Sequence, residues 1–262
     1  MADVTQLPPD PASFASGVGV APTTTTIFAD KQAVAAITIT PDDGSGEFSI
    51  PASAYSLRGF RHWAVSDKYP ERGRITFSPE GLTIDMSPEL LETHNYIKAD
   101  VGFTLTGLIR QHKLGRFIGD RALFSNEAGN ISTEPDAMFI SGQSMRSGRC
   151  TLVESSRPGM NIEVVGSPDW ILEVVSPTSV KKDKVVLREG YFRSGVGEYW
   201  IIDALGDQIE FQVLVSGEGR YVAVEPRDGW LASPTFHCSF RLTVEKDENG
   251  FSHYTLHVKG DS

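Results

Sequence analysis

The chain has no apolar run near the ~20 residues that a membrane-spanning helix needs. Cysteine is scarce: Cys150 and Cys238 are the two present, and neither stands in a CxxC or CxH pattern, which argues against structural zinc. Two buried thiols in a reducing compartment is the reading this favours over a disulfide. The first residues, Met1-Ala2-Asp3-Val4, have no basic stretch followed by an apolar one, so no secretory signal and a cytoplasmic location are expected. Positive charge is in short supply. Lys plus Arg is 24 against 34 Asp plus Glu, a net charge of −10 over 262 residues. That balance argues against a protein that coats nucleic acid through bulk charge, and leaves open binding through one local basic face.

What is present is a globular composition, 40% apolar and 22% charged. Residues 1–46 carry Pro8, Pro9, Pro11, Pro22 and the run Thr23–Thr26, and read as a flexible N-terminal arm. Within it Lys31–Thr40 can add one edge strand. Residues 47–262 read as a single domain, with a core over about 72–205 and C-terminal strands over 206–262. Tyr55, Leu57, Phe60, Trp63 and Ala64 fall at helical spacing. Arg74–Ser78 and Leu82–Met86 alternate with period two around the turn Pro79-Glu80-Gly81 and predict a hairpin. Ser87 as cap, Pro88 and Glu89 then predict the start of a helix of about 25 residues that Gly115 stops.

Short strands follow. Arg116–Phe124 predicts one, Ala137–Ile140 another, and Cys150–Glu154 with Met160–Val165 a hairpin. Trp170–Val175 and Glu198–Asp203 are nearly all apolar, as strands covered on both faces would be. The helical stretch Val180–Ser194 between them makes a right-handed β-α-β crossover. The remainder, Gln208–Val215, Arg220–Val224, Phe236–Leu242 and His253–Val258, predicts antiparallel strands. His253 and His257 lie on a strand and are no metal pair. Tyr191, Tyr199 and Trp200 are assigned to packing between helix and sheet before base stacking.

Chemistry concentrates at two acids. Asp136 opens a strand after Pro135, and Glu173 interrupts an apolar one. A buried carboxylate without a partner costs several kcal/mol, so Glu173 needs a cation. Either a divalent ion or a basic side chain of the next helix meets that need. Val180–Arg193 holds five basic and two acidic residues, a local +3, and brings Lys182 or Lys184 toward the acids. Asp169 competes with Asp136, but lies four residues before Glu173 on the same strand, about 13 Å away at ~3.3 Å per residue, too far to share one ion.

The order Pro135-Asp136, Glu173-Val174-Val175-Ser176-Pro177, Lys182-Asp183, Tyr191 and Gly195-Val196-Gly197-Glu198-Tyr199-Trp200-Ile201-Ile202-Asp203 resembles the Uma family, a branch of the PD-(D/E)XK nuclease superfamily. Upstream, Asp85-Met86-Ser87-Pro88, His94-Asn95 and the Trp63, Ser66, Pro70-Glu71-Arg72-Gly73-Arg74 run fit it too. The resemblance covers about residues 55–245. It implies an α/β, restriction-endonuclease-like mixed central sheet flanked by helices, with an antiparallel C-terminal extension. It also implies an endonuclease that hydrolyses nucleic-acid phosphodiesters, DNA before RNA, with Mg²⁺ or Mn²⁺. A two-fold homodimer is expected by analogy with enzymes that cut both strands.

On that reading Asp136, Glu173 and Glu92 are metal ligands, and Lys182 and Lys184 are the candidate catalytic lysines beside Asp136 and Glu173. Lys181, Arg188 and His94 are the candidates for contact with nucleic acid. The family pattern has a lysine two residues after the strand glutamate or four after the helix aspartate. This chain has Val175 and Leu187 there, and Lys182 and Lys184 flank Asp183 instead. The alternative is a catalytically inactive nuclease-fold binding or assembly module.

Overall fold

The computed structural model describes residues 24–27, 37–39, 47–155 and 157–260. Most of the arm expected over 1–46 lies outside the described residues. Its described parts are strands: β1 (Thr24–Ile27) and β2 (Ile37–Ile39), the latter inside the stretch expected to add an edge strand. β3 (Phe48–Ile50) pairs antiparallel with β2. A 3-10 turn over Ala52–Tyr55 leads into α1 (Leu57–Ala64). Ser56 caps that helix, its Oγ accepting the Gly59 N–H at 3.2 Å.

The hairpin is β4 (Arg74–Ser78) and β5 (Gly81–Asp85), with Gly81 at a positive φ of 120° in the turn. A wide π turn, Leu91–Asn95, then precedes α2 (Tyr96–His112). The helix therefore starts later than Ser87 predicts. Ser87 is occupied otherwise, its N–H and Oγ both donating to Asp85 Oδ1, which keeps residues 86–90 out of the helix. The stop comes at Lys113, in the left-handed conformation with φ 53°.

The single strand expected over Arg116–Phe124 is two, β6 (Gly115–Ile118) and β7 (Leu123–Asn126), which belong to different sheets. Arg121, at φ 65°, turns the chain between them. β8 (Ile131–Thr133), β9 (Ala137–Ser141), α3 (Gly142–Arg146), β10 (Cys150–Glu154), β11 (Asn161–Gly166) and β12 (Trp170–Val174) follow. The helical segment after β12 contains a second π turn, Lys182–Leu187, which runs into α4 (Arg188–Arg193). Gly195, at φ 74°, ends it. Then come β13 (Glu198–Asp203), β14 (Glu210–Ser216), β15 (Tyr221–Ala223), β16 (Leu231–Ser233), β17 (Cys238–Lys246) and β18 (Ser252–Gly260).

Among the described residues the strands form a seven-stranded sheet in the order β1-β5-β4-β8-β7-β11-β10, a six-stranded sheet in the order β15-β14-β13-β12-β9-β6, a three-stranded sheet β16-β17-β18, and the β2-β3 pair. β12 and β13 are parallel, joined by the expected helical crossover, while β9 and β14 flank them antiparallel. This is a mixed α/β architecture.

Alternation along β12 separates two cores. Trp170, Leu172 and Val174 face one way, against Ile97, Val101 and Leu105 of α2 and Phe240 and Leu256 of the C-terminal strands. Ile171 and Val175 face the other, with Tyr191, Tyr199 and Leu187, against Phe124, Ile131 and Val164 of the seven-stranded sheet. A third core sets Phe60 and Trp63 of α1 on the β4–β5 hairpin. Fully burying such a side chain is worth about 1.5–3 kcal/mol, so these faces fix the strand register. Cys150 and Cys238 are both buried thiols, as their sparse pattern predicts. No helix among the described residues is long and apolar enough to cross a membrane.

Candidate active site

The pairing of β9 with β12 sets Ala137 opposite Leu172, which brings Asp136, one residue earlier, beside Glu173. Both acids lie on the face of the sheet that carries Met138, Ile171 and Val175. Each is about 2% exposed. A buried charge has to find partners, and the two acids find different ones.

Asp136 is surrounded by donors. Its Oδ2 accepts the Val174 N–H at 2.7 Å, and its Oδ1 accepts from Arg74 at 3.1 Å. His94 Nε2 lies 3.4 Å from Oδ2, and Lys98 Nζ lies 3.6 Å from Oδ1. Burial alone would push this carboxyl up. His94, Arg74 and Lys98 outweigh it and hold Asp136 well below the usual carboxylate range.

Glu173 is short of positive charge. Burial pushes its carboxyl well up, and the neighbouring carboxylates Asp183 and Asp136 push further, against Lys182 and the Tyr191 hydroxyl. Tyr191 donates to Glu173 Oε1 at 2.5 Å. The packing role read for Tyr191 is real, and its hydroxyl adds a polar contact that the sequence pattern does not announce.

The π turn after β12 carries the third acid and the lysine. Lys182 Nζ lies 3.2 Å from Asp183 Oδ1. That oxygen has no hydrogen bond of good geometry, while Oδ2 takes the Ser179 hydroxyl. Burial would lower the Lys182 ammonium, but Asp183, Glu173 and Asp136 raise it above its ordinary value, so it stays charged. Such π turns recur at functional sites because they re-aim side chains within a helix.

A ring of opposite charges closes the site. Arg74 also binds Glu89 and Asp120, the latter at 2.9 Å, and Lys98 Nζ reaches Glu89 at 2.7 Å and Asp120 at 3.0 Å. His94 Nδ1 sits 3.6 Å from Glu89, so the ring bridges Glu89 and Asp136. Burial lowers its pKa but the two acids raise it more, to about 9. A cavity of about 110 Å³ lies at the mouth, lined by Arg74, Asp85, Glu89, His94, Arg121 and Ser176 among others.

Other candidates lie apart from this cluster. Lys184 binds Asp203 at 2.6 Å and Glu210 at 3.2 Å, on the exposed end of the sheet. Lys181 pairs with Glu80 at 3.2 Å, and Arg188 donates to the Tyr221 carbonyl at 3.5 Å. Glu92 is exposed, and its charge is felt by Tyr254 of β18. The acid that does reach the site from this region is Glu89. Because the helical stretch starts at Leu91 and not at Pro88, Glu89 reaches Arg74, His94 and Lys98 from an extended segment. Asp169 braces the start of α3, which Ser141 caps, accepting from the Ser141 N–H at 2.7 Å and the Ser144 hydroxyl at 2.8 Å, and takes no part. Val175 and Leu187, where the family pattern has lysine, are both core residues.

The model of the family Uma2, described as "Putative restriction endonuclease", matches residues 60–245. The chain belongs to the Uma2 family. Among solved structures, one described as a "putative nuclease belonging to DUF820", from Anabaena variabilis ATCC 29413, shares 15% identity at a TM-score of 0.50, covering 69% of this chain and 90% of that one. The likeness shows the fold, restriction-endonuclease-like. No curated protein matches.

Within this Uma2 chain the donor chemistry suits a hard divalent cation. Asp136 and Glu173 stand opposite each other on the β9–β12 pair, and Glu173 is under-compensated. The fit is not preformed. Among the described residues no group of three or more His, Cys, Asp or Glu is gathered for a metal, and Arg74, His94 and the Val174 N–H already hold the Asp136 oxygens.

Proposed function

We propose that this protein is a divalent-metal-dependent endonuclease that hydrolyses phosphodiester bonds in DNA. The observation that carries the reading is the placing of Asp136 beside Glu173 on one face of the sheet, with Lys182 paired to Asp183 at 3.2 Å on the helical segment that follows β12. Asp136 and Glu173 are the residues that would hold Mg²⁺ or Mn²⁺. An ion there supplies Lewis-acid charge at the scissile phosphate and lowers the pKa of water.

The remaining roles belong to the chain. Lys182 keeps its proton, so it stabilises negative charge growing on a phosphoryl oxygen and does not act as a base. Tyr191 fixes the rotamer of Glu173. Arg74 offers a planar fork for a phosphate, and would exchange Asp136 for it on binding. That exchange would leave Lys98, at 3.6 Å, as the remaining cation on Asp136 Oδ1.

The test is cleavage of supercoiled plasmid in Mg²⁺ or Mn²⁺, with calorimetric titration of Mn²⁺. The wild type cleaves and takes up the ion. Asp136→Asn and Glu173→Gln lose cleavage by at least about a hundredfold, and Asp136→Ala loses Mn²⁺ uptake. A second reading, an inactive nuclease-fold module, is favoured by the seal over the acids, each about 2% exposed. Wild-type protein that neither binds Mn²⁺ nor cuts DNA would decide for it.

A further inference from the structure

A second and larger recess lies beside the acidic site. It encloses about 940 Å³ between the C-terminal half of α2, the β6–β7 turn and the β10–β11 hairpin. Three arginines line it: Arg110 from α2, Arg116 from β6 and Arg121 from the turn. Its acids are neutralised from outside. Asp120 is bound by Arg74 and Lys98, and Glu163 by Arg61 through a two-pronged pair at 2.7 and 2.9 Å. Arg110 and Arg116 are exposed and have no ion pair among the described residues. The chain as a whole is at −10, yet this recess presents uncancelled positive charge.

Two further observations narrow the occupant. Arg121 lines both this recess and the small cavity at the mouth of the acidic site, so its side chain stands between the two. Phe103, 82% exposed, is on the same face of α2 as Thr106 and Arg110, which line the recess three and seven residues on. An aromatic so fully in water, at the end of a basic trough, is a platform for the face of an unpaired base.

From this we infer that the recess is a track for single-stranded nucleic acid. Arg110 and Arg116 hold successive phosphates, Phe103 stacks a base, and Arg121 passes the strand to the acidic site. The inference rests on the hydrolase reading only for what happens at the end of the track. Duplex readers insert a helix or ribbon into a groove about 12 Å wide, whereas here the basic surface is a hollow. A duplex also hides the base faces that Phe103 would meet.

The experiment measures fluorescence anisotropy of a labelled 16-nucleotide oligodeoxythymidylate and of a 16-base-pair duplex, with the full chain in EDTA across a salt series. The single strand is expected to bind at least about tenfold more tightly. Phe103→Ala should weaken it by about fivefold or more, the range for losing one stacked base. Arg110→Gln with Arg116→Gln should weaken it by about tenfold and lower the salt slope by about 1.4, at ~0.7 per phosphate. Arg227→Gln, outside the recess, is the control and should change neither.

Binding that survives in Asp136→Asn, with no cleavage by wild type, upholds the track and overturns the hydrolase. Cleavage with KM unchanged in the double arginine variant does the reverse. Equal affinity for the duplex also overturns the track, as does self-association of the chain that the Arg116→Gln change abolishes.

Discussion

Asp136 Oδ2 accepts the N–H of Val174 at 2.7 Å, and Val174 is the residue directly after Glu173. One carboxylate thus continues the β9–β12 ladder with its side chain and pins the backbone that carries the other. The strand pair cannot slide without breaking this contact and parting Asp136 from His94 and Arg74. Strand register and site chemistry are the same constraint here.

Removing charge from Asp136 therefore acts on stability as well as on activity. In Asp136→Ala, Arg74, His94 and Lys98 lose their shared buried anion, and breaking such a buried network costs about 3–5 kcal/mol. Asp136→Asn keeps the shape and an acceptor for Val174, and should cost less. Urea unfolding of the three proteins measures the order, wild type above Asn above Ala.

The two lysines flanking Asp183 should separate cleanly. Lys182→Met leaves Asp183 and Glu173 buried without their cation, a loss of about 3–5 kcal/mol. Lys184→Met breaks an exposed pair with Asp203 and Glu210, worth about 0–1 kcal/mol. Parallel urea titrations and plasmid cleavage read both. Lys182→Met loses stability and cutting, and Lys184→Met keeps them.

Tyr191→Phe removes the one hydroxyl that donates to Glu173 Oε1. A buried acceptor stripped of its donor costs about 1–3 kcal/mol. The hydroxyl holds the Glu173 carboxyl down, so the variant's carboxyl titrates higher still. The acid limb of the pH–cleavage profile should move to higher pH, with the Trp fluorescence of the folded state unchanged.

Stability should fall on both sides of neutrality, for separate reasons. His94 is raised to about 9, so its contribution is complete below the unfolded value of about 6.5 and is lost as pH rises through about 9, by at most about 3 kcal/mol. Asp136 and Glu89 are depressed, so theirs is complete above an ordinary carboxylate value of about 4 and is lost as pH falls below it. Thermal melts of wild type and His94→Gln in EDTA should converge between pH 7 and 10.

Gly115 begins β6, where an added Cβ would lie 2.1 Å from the Ile140 carbonyl oxygen of β9. Gly115→Ala must push β6 off the sheet edge, at about 1–3 kcal/mol. A lower melting temperature, together with weaker binding in the recess that β6 lines, is the expected result.

The sequence was most readable where one segment carries its own signal. The apolar runs of β12 and β13, with a helical stretch between, specify a parallel pair because each must be covered on both faces. Glu173 stands out for being charged in such a run, and Asp136 for opening a strand after proline. The rest of the site is not local. Arg74, Glu89, Lys98 and Asp120 come from a hairpin, an extended segment, a helix and a turn, and no spacing links them. Lys98 lies next to the buried Ile97 on α2, which is the nearest thing to a signal it has. Ser87 has the features of a helix cap, but Asp85, two residues back, claims its N–H and hydroxyl. That single competition shifts the helix start, lets Glu89 reach Arg74 and Lys98 and leaves Glu92 in solvent. Arg116–Phe124 reads as one strand, yet Asp120 and Arg121 turn it, and Arg74 and Lys98 hold Asp120 in place.

The π turn at Lys182–Leu187 makes the number of residues in this stretch matter as much as the identity of Lys182, Asp183 and Leu187. A helix advances by about 100° for each residue, so losing one rephases everything on either side of the loss. Val185, 56% exposed, is free to be almost any residue by its surroundings. Deleting it would nonetheless swing Lys182 and Asp183 out of step with Leu187 and Tyr191, which are anchored in the core. Substitution at position 185 should accordingly be tolerated where a deletion there is not.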